Sequence, residues 1–145
     1  MTEILHSTIL ALPTDGKIKR TTSGYVYADI NNDYVHKIFP LLKAKEIYKP
    51  DYFSRRKNFI GAHISLIYAE ENVSVDEKLP AAINEFSIRE LITMRIGKIL
   101  YYALTVNSLE ITRIRRAFGL TEKLNFRGHW VEPHITVALQ DCSKT

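Results

Sequence analysis

Two short apolar runs carry the most informative pattern in the chain. They are Gly61-Ala62-His63-Ile64-Ser65-Leu66-Ile67-Tyr68 and Glu132-Pro133-His134-Ile135-Thr136-Val137-Ala138-Leu139. Each is interrupted by a histidine and, two positions on, by a hydroxyl residue. Successive side chains of a strand point to opposite faces, so a period of two places His63, Ser65 and Ile67 together, opposite Ile64, Leu66 and Tyr68. In the second run His134, Thr136 and Ala138 share a face, opposite Ile135, Val137 and Leu139. Burying an unpartnered polar group costs free energy, so each polar face must be satisfied or left open to solvent or ligand.

The remaining pattern predicts the elements around these strands. Residues 4–12 form an apolar piece, read as a strand or a packed arm. Pro13-Thr14-Asp15-Gly16 is a turn signal, and residues 17–23 are basic and polar. Residues 25–30 are rich in β-formers and predict a strand. Asn31-Asn32-Asp33 can cap a helix over 34–44, where Val35, Ile38, Phe39 and Leu42 recur at helical spacing and Pro40 interrupts. Residues 48–58 read as a loop, and 80–84 as a short helical turn. Residues 86–96 alternate fairly well and predict a strand, and Gly97-Lys98 turns the chain into a second strand over 99–106. Asn107 or Ser108 then caps a helix whose apolar face holds Leu109, Ile111, Ile114, Ala117 and Phe118, with Arg113, Arg115 and Arg116 mostly outside it. Gly119 ends that helix, and 121–130 reads as a polar loop.

Strand, helix, loop and histidine strand thus occur twice in the same order. From strand start to histidine the offsets are 38 residues (25 to 63) and 35 residues (99 to 134). Residue identities outside the histidine runs do not repeat. This order predicts one α+β domain over 1–145, with pseudo-two-fold lobes at 24–70 and 97–140, antiparallel sheets and outer helices. The two histidine strands would converge on one central groove.

Composition narrows the setting. A chain of 145 residues can bury a core as one domain. With 46% hydrophobic and 25% charged residues it has the profile of a soluble globular protein rather than a disordered or membrane-spanning one. A net charge of +4 is compatible with an anionic ligand. The single Cys142 excludes an internal disulfide and a multi-cysteine metal site. The first residues lack the basic flank of a signal peptide, so a cytoplasmic location is expected, with the nucleus an alternative.

Two imidazoles facing one cleft suit general acid–base catalysis, because an ordinary pKa of about 6.5 serves both roles near neutrality. A phosphodiester matches such a cleft. Its attacking and leaving oxygens lie on opposite sides of phosphorus, and its non-bridging oxygens need donors. A metal site is the rival reading, but each motif supplies one nitrogen, and apart from Glu132 the neighbours are hydroxyls rather than carboxylates or thiols. The expectation is therefore no metal and no cofactor.

The paired motifs resemble those of the 2H phosphoesterase superfamily, which includes 2′,5′-RNA ligase-like proteins, cyclic nucleotide phosphodiesterases and RNA-processing phosphodiesterases. The motifs lie 71 residues apart (63 to 134), and the resemblance extends over roughly residues 24–139. Ser65 stands where Thr is commoner and keeps the hydroxyl. The resemblance implies a bilobal fold, His63 and His134 as the acid/base pair, and Ser65 and Thr136 as phosphate-binding residues. It also implies an RNA or nucleotide substrate. Arg55, Arg56, Lys57 and Arg127 are cationic candidates for substrate contact, since each precedes a histidine strand. Tyr101 and Tyr102 occupy opposite faces of their strand, so one can reach the groove while the other packs. Tyr52, Phe53 and Trp130 are candidates for stacking on a base, with Trp130 slightly preferred. No membrane and no obligate protein partner is indicated. Two other readings stay open: an RNA ligase-type end-sealing activity, and a non-catalytic RNA- or nucleotide-binding domain.

Overall fold

The computed structural model describes residues 2–53, 60–75 and 79–143. Along the chain they form α1 (Glu3–Leu10), β1 (Gly16–Arg20), β2 (Val26–Asp29), α2 (Asp33–His36), β3 (Ile47–Tyr48), β4 (His63–Ile67), β5 (Ala82–Ile83), β6 (Ser87–Ile96), β7 (Ile99–Asn107), α3 (Leu109–Ala117), β8 (Leu124–Phe126), β9 (His129–Val131) and β10 (His134–Asp141). Single 3-10 turns occupy Phe39–Leu41, Asp51–Phe53 and Ala69–Glu71. The fold is α+β with antiparallel sheets, as expected from the alternation of elements. One sheet has the order β4-β2-β1-β5, a second has β3-β10-β7-β6, and β8 and β9 form a separate ribbon. Among the described residues no helix is long and apolar enough to cross a membrane.

Each histidine strand pairs with the strand that opens its half. His63 lies opposite Asp29 on β2, and His134 lies opposite Thr105 on β7. The two sheets share one core. Val26, Ala28, Ile64 and Leu66 of the first meet Leu104, Val106, Ile135 and Val137 of the second, with Leu5, Ile9, Tyr34, Ile111 and Ile114 from the helices. β4 and β10 lie against each other. A smaller cluster of Met94, Ala103 and Val131, with Ile92, Tyr101 and Phe126 packed on it, binds the β8–β9 ribbon to the outer face of the second sheet.

Several local expectations are corrected. Residues 4–12 are mostly helical rather than a strand or arm, because Thr2 accepts from the Leu5 amide at the N-terminus and Leu5 and Ile9 lie four apart on the buried side. The helix read over 34–44 breaks into α2 and a 3-10 turn, the outcome that Pro40 imposes. Residues 82–83 are a strand pairing with β1, not a helical turn. Residues 121–130 are not wholly loop, since β8 and β9 pair across Arg127-Gly128. By contrast α3 starts where Ser108 was expected to cap it, with the Ser108 hydroxyl accepting from the Ile111 amide.

The alternation of both histidine strands also breaks, at the same place. On β4, Ser65 pairs with Tyr27 and Ile67 with Val26, leaving Leu66 extra. On β10, Thr136 pairs with Ala103 and Ala138 with Tyr102, leaving Val137 extra. Each strand carries a bulge immediately after its hydroxyl residue. Ile67 and Ala138, expected on the polar faces, are therefore fully buried. Tyr68 and Leu139, expected opposite the histidines, both line the same cavity as the histidines.

Candidate active site

That cavity has a volume of about 360 Å³. His63, Ser65, His134 and Thr136 all line it, and so do Tyr101 and Arg127. Tyr102 instead packs against the core, and its hydroxyl donates to Gln140. Trp130 is 60% exposed and lies outside this cavity, on the wall of a neighbouring one. Arg55, Arg56 and Lys57 lie outside the described residues. Among the described residues no group of three or more His, Cys, Asp or Glu side chains is placed to hold a metal ion.

The two imidazoles are held in the same way. His63 Nδ1 lies 2.8 Å from the Gly61 carbonyl oxygen, and His134 Nδ1 lies 3.0 Å from that of Glu132. A carbonyl only accepts, so each Nδ1 carries the hydrogen, and Nε2 is the atom left to exchange a proton. Gly61 makes the first bond achievable. Its φ of +82° is in the left-handed region, and a Cβ there would sit 2.6 Å from Asn32 Oδ1. That same Oδ1 accepts from the Ala62 amide, fixing the entry to β4.

Rings surround the imidazoles. Tyr52 meets the His63 ring edge-on at 4.5 Å between centroids, and Tyr27 and Tyr25 follow at 5.7 and 6.3 Å. Phe126 meets the His134 ring at 5.3 Å and 89°. Burial among these groups lowers the pKa of both histidines, and the charge of His63 lowers that of His134 further. The Tyr52 hydroxyl donates to the Thr136 carbonyl oxygen, a bond from the segment before β4 to β10 across the cavity.

The two hydroxyl residues are not equivalent. Ser65 Oγ shares a hydrogen bond of 2.6 Å with the Tyr25 hydroxyl. Burial pushes the Tyr25 phenol well above its usual range and Tyr68 up to about 12, so both stay protonated and can donate. Thr136 Oγ1 has no such partner among the described residues. Arg127 supplies the one cationic side chain among the described lining residues apart from the histidines. Its guanidinium donates to the Tyr101 hydroxyl at 3.1 Å and lies over the Tyr101 and Phe126 rings.

Sequence reasoning missed Tyr25, Tyr68, Asn125 and Phe126 as lining residues. Tyr25 and Tyr27 did carry a signal, because alternation in a strand paired with the histidine strand puts both on its polar face. Tyr68 carried none, since only the bulge brings it round.

The arrangement can position an anionic centre between two proton-exchanging nitrogens, with hydroxyls and one guanidinium as donors. No curated protein and no solved structure matches the chain. A family model described as "Swiss Army Knife, 2H phosphoesterase domain" matches residues 26–143, most of its length.

Proposed function

The chain belongs to the 2H phosphoesterase family, and on that premise we propose that it is a phosphodiesterase acting on an RNA-like or cyclic nucleotide phosphodiester through His63 and His134. The family supports phosphoesterase activity in general; the substrate and the residue roles are our reading. The observation that carries it is the matched anchoring of two Nδ1 atoms on backbone carbonyls, which leaves two Nε2 atoms to a shared cavity. On a 2′,3′-cyclic phosphate one neutral Nε2 takes a proton from water as the new P–O bond forms. The other, as imidazolium, gives its proton to the ribose oxygen as the old P–O bond breaks. The product is a monoester, and a single proton exchange resets the pair. On a linear RNA linkage a ribose hydroxyl replaces water and leaves a cyclic phosphate. Ser65, supported by the tyrosine hydroxyls, and Thr136 donate to the non-bridging oxygens. Both proton transfers run through imidazoles, so the mechanism asks for no metal.

The test is an assay of the purified chain, with chelator present, on 2′,3′-cyclic nucleotides and on 3′,5′- and 2′,5′-linked oligonucleotides. Turnover that survives chelation is expected on at least one class. Failure on every diester would leave a binding domain rather than an enzyme.

A pH prediction follows from burial. With both histidine pKa values below 6.5, the free site holds two neutral imidazoles at neutrality, whereas turnover needs one imidazolium. kcat/KM reports the free enzyme and is therefore expected to peak below pH 6.5 and to fall as pH rises through neutrality. A bound phosphodiester anion favours the imidazolium, so the kcat profile is expected at higher pH than the kcat/KM profile. The apparent values belong to the pair. A kcat/KM that is flat from about pH 5 to about pH 8 would remove the histidines from the proton transfers.

A further inference from the structure

Trp130 lies just outside the cavity assigned to the phosphodiester, and the reason is a second cavity of about 480 Å³ that shares its wall. Tyr68, Glu70, Asn125 and Arg127 line both spaces, and Trp130 lines only the second. The first cavity is at the small end of ligand sites, which run from about 300 to 1,000 Å³. A phosphodiester with a strand attached must extend beyond it, and the shared wall makes the second cavity its continuation.

We propose that the second cavity is a nucleobase subsite, with Trp130 as its stacking platform, for a nucleotide adjoining the one at the histidines. On this reading, which rests on the phosphodiesterase assignment, the substrate is an oligonucleotide rather than a free cyclic mononucleotide. The lining suits a base better than a plain apolar group. Trp130 sits on β9 opposite Asn125, 60% exposed, and offers an aromatic face. The Asn125 carboxamide oxygen accepts from the Gly128 amide at 2.8 Å, which leaves its NH2 group to donate to a base edge. Glu70 offers an acceptor for an exocyclic amine, and Arg127 spans both spaces and can hold the phosphate between them.

Trp130 is the sole tryptophan of the chain, so its fluorescence reads this subsite directly. The experiment titrates the protein with a 2′-O-methyl trinucleotide and with the matching mononucleotide, which carry no attacking 2′-hydroxyl. Quenching by the trinucleotide and little by the mononucleotide is expected. In parallel, W130A should lower kcat/KM for an unmethylated trinucleotide diester about tenfold more than for a 2′,3′-cyclic mononucleotide, and W130F should recover much of the difference. Equal quenching by both ligands, or by neither, or an unchanged preference in W130A, would overturn the subsite. A wild-type protein that turns over no diester would instead sink the histidine mechanism, while the fluorescence titration would still decide whether a base reaches Trp130.

Discussion

Replacing His63 or His134 with Ala is expected to lower kcat on a phosphodiester by roughly 10²- to 10⁴-fold, the range that a positioned acid or base contributes. Binding should change far less, because the donors proposed for the phosphate are Ser65, Thr136, the tyrosine hydroxyls and Arg127 rather than the imidazoles. The fold should survive, since each imidazole makes one bond to a nearby carbonyl, from Gly61 or Glu132. Losing such a bond costs about 1 kcal/mol. The double variant is expected to lose much less than the product of the two single losses, because both groups serve the same transition state. Circular dichroism checks the fold, and single-turnover kinetics checks the chemical step. A diester whose leaving group needs no protonation, such as a nitrophenyl ester, should rescue the variant lacking the acid and not the one lacking the base. That comparison assigns the roles. Turnover retained at the wild-type level in either single variant would remove that imidazole from the mechanism.

Replacing Arg115 with Ala is expected to cost about 3–5 kcal/mol of stability, the loss associated with removing one partner of a buried pair. The Arg115 side chain is 0% exposed although it lies on a surface helix. Two of its nitrogens meet the two Glu71 carboxylate oxygens at 2.9 and 2.7 Å. It also donates to the Leu66 carbonyl at 2.9 Å and to that of Thr121 at 2.5 Å. Glu71 in turn accepts from the Tyr68 amide. Burial works against the Glu71 charge, yet the Arg115 bonds hold its carboxyl below the usual range. One guanidinium thus ties the bulge of β4 to the turn after it and to the segment that leads into β8. Alanine would strand a half-buried carboxylate and several carbonyls. The measurement is the urea midpoint at constant slope. R115K keeps the charge but not the planar fork, so it should fall between the wild type and R115A. A midpoint for R115A close to that of the wild type would refute the role. A chain that no longer folds would agree with it, and R115K then supplies the graded comparison.

The same residue shows where the sequence stopped being legible. By spacing on α3 it was expected outside the apolar face, with Arg113 and Arg116. What buries it is a carboxylate 44 residues away, and no local pattern contains that fact. Local signals succeeded where local physics decides. The Ser108 cap and the existence of β7 and of the two histidine strands needed only their own neighbours. Residues 17–20 were read as merely basic because Ile18 alone interrupts the polar run, yet they form a strand by pairing with β2 and β5. The short helix α1 lost its signal to apolar residues on both sides, Ile4 and Leu10 remaining exposed. The bulges were invisible for a different reason. A bulge is a mismatch of count between two strands, and one strand read alone has no partner to be counted against.

Those bulges have a consequence for direction. Five positions after each histidine they bring a side chain round to the cavity, and the two are unlike: Tyr68 has a phenol, Leu139 only hydrocarbon. On the proposed mechanism, two matched imidazoles alone would accept a phosphodiester in either sense, exchanging the attacking and leaving oxygens. A cavity with a phenol at one of these positions and hydrocarbon at the other is not symmetric about its two imidazoles, so an asymmetric ligand entering in the reverse sense would meet a different surface at each end.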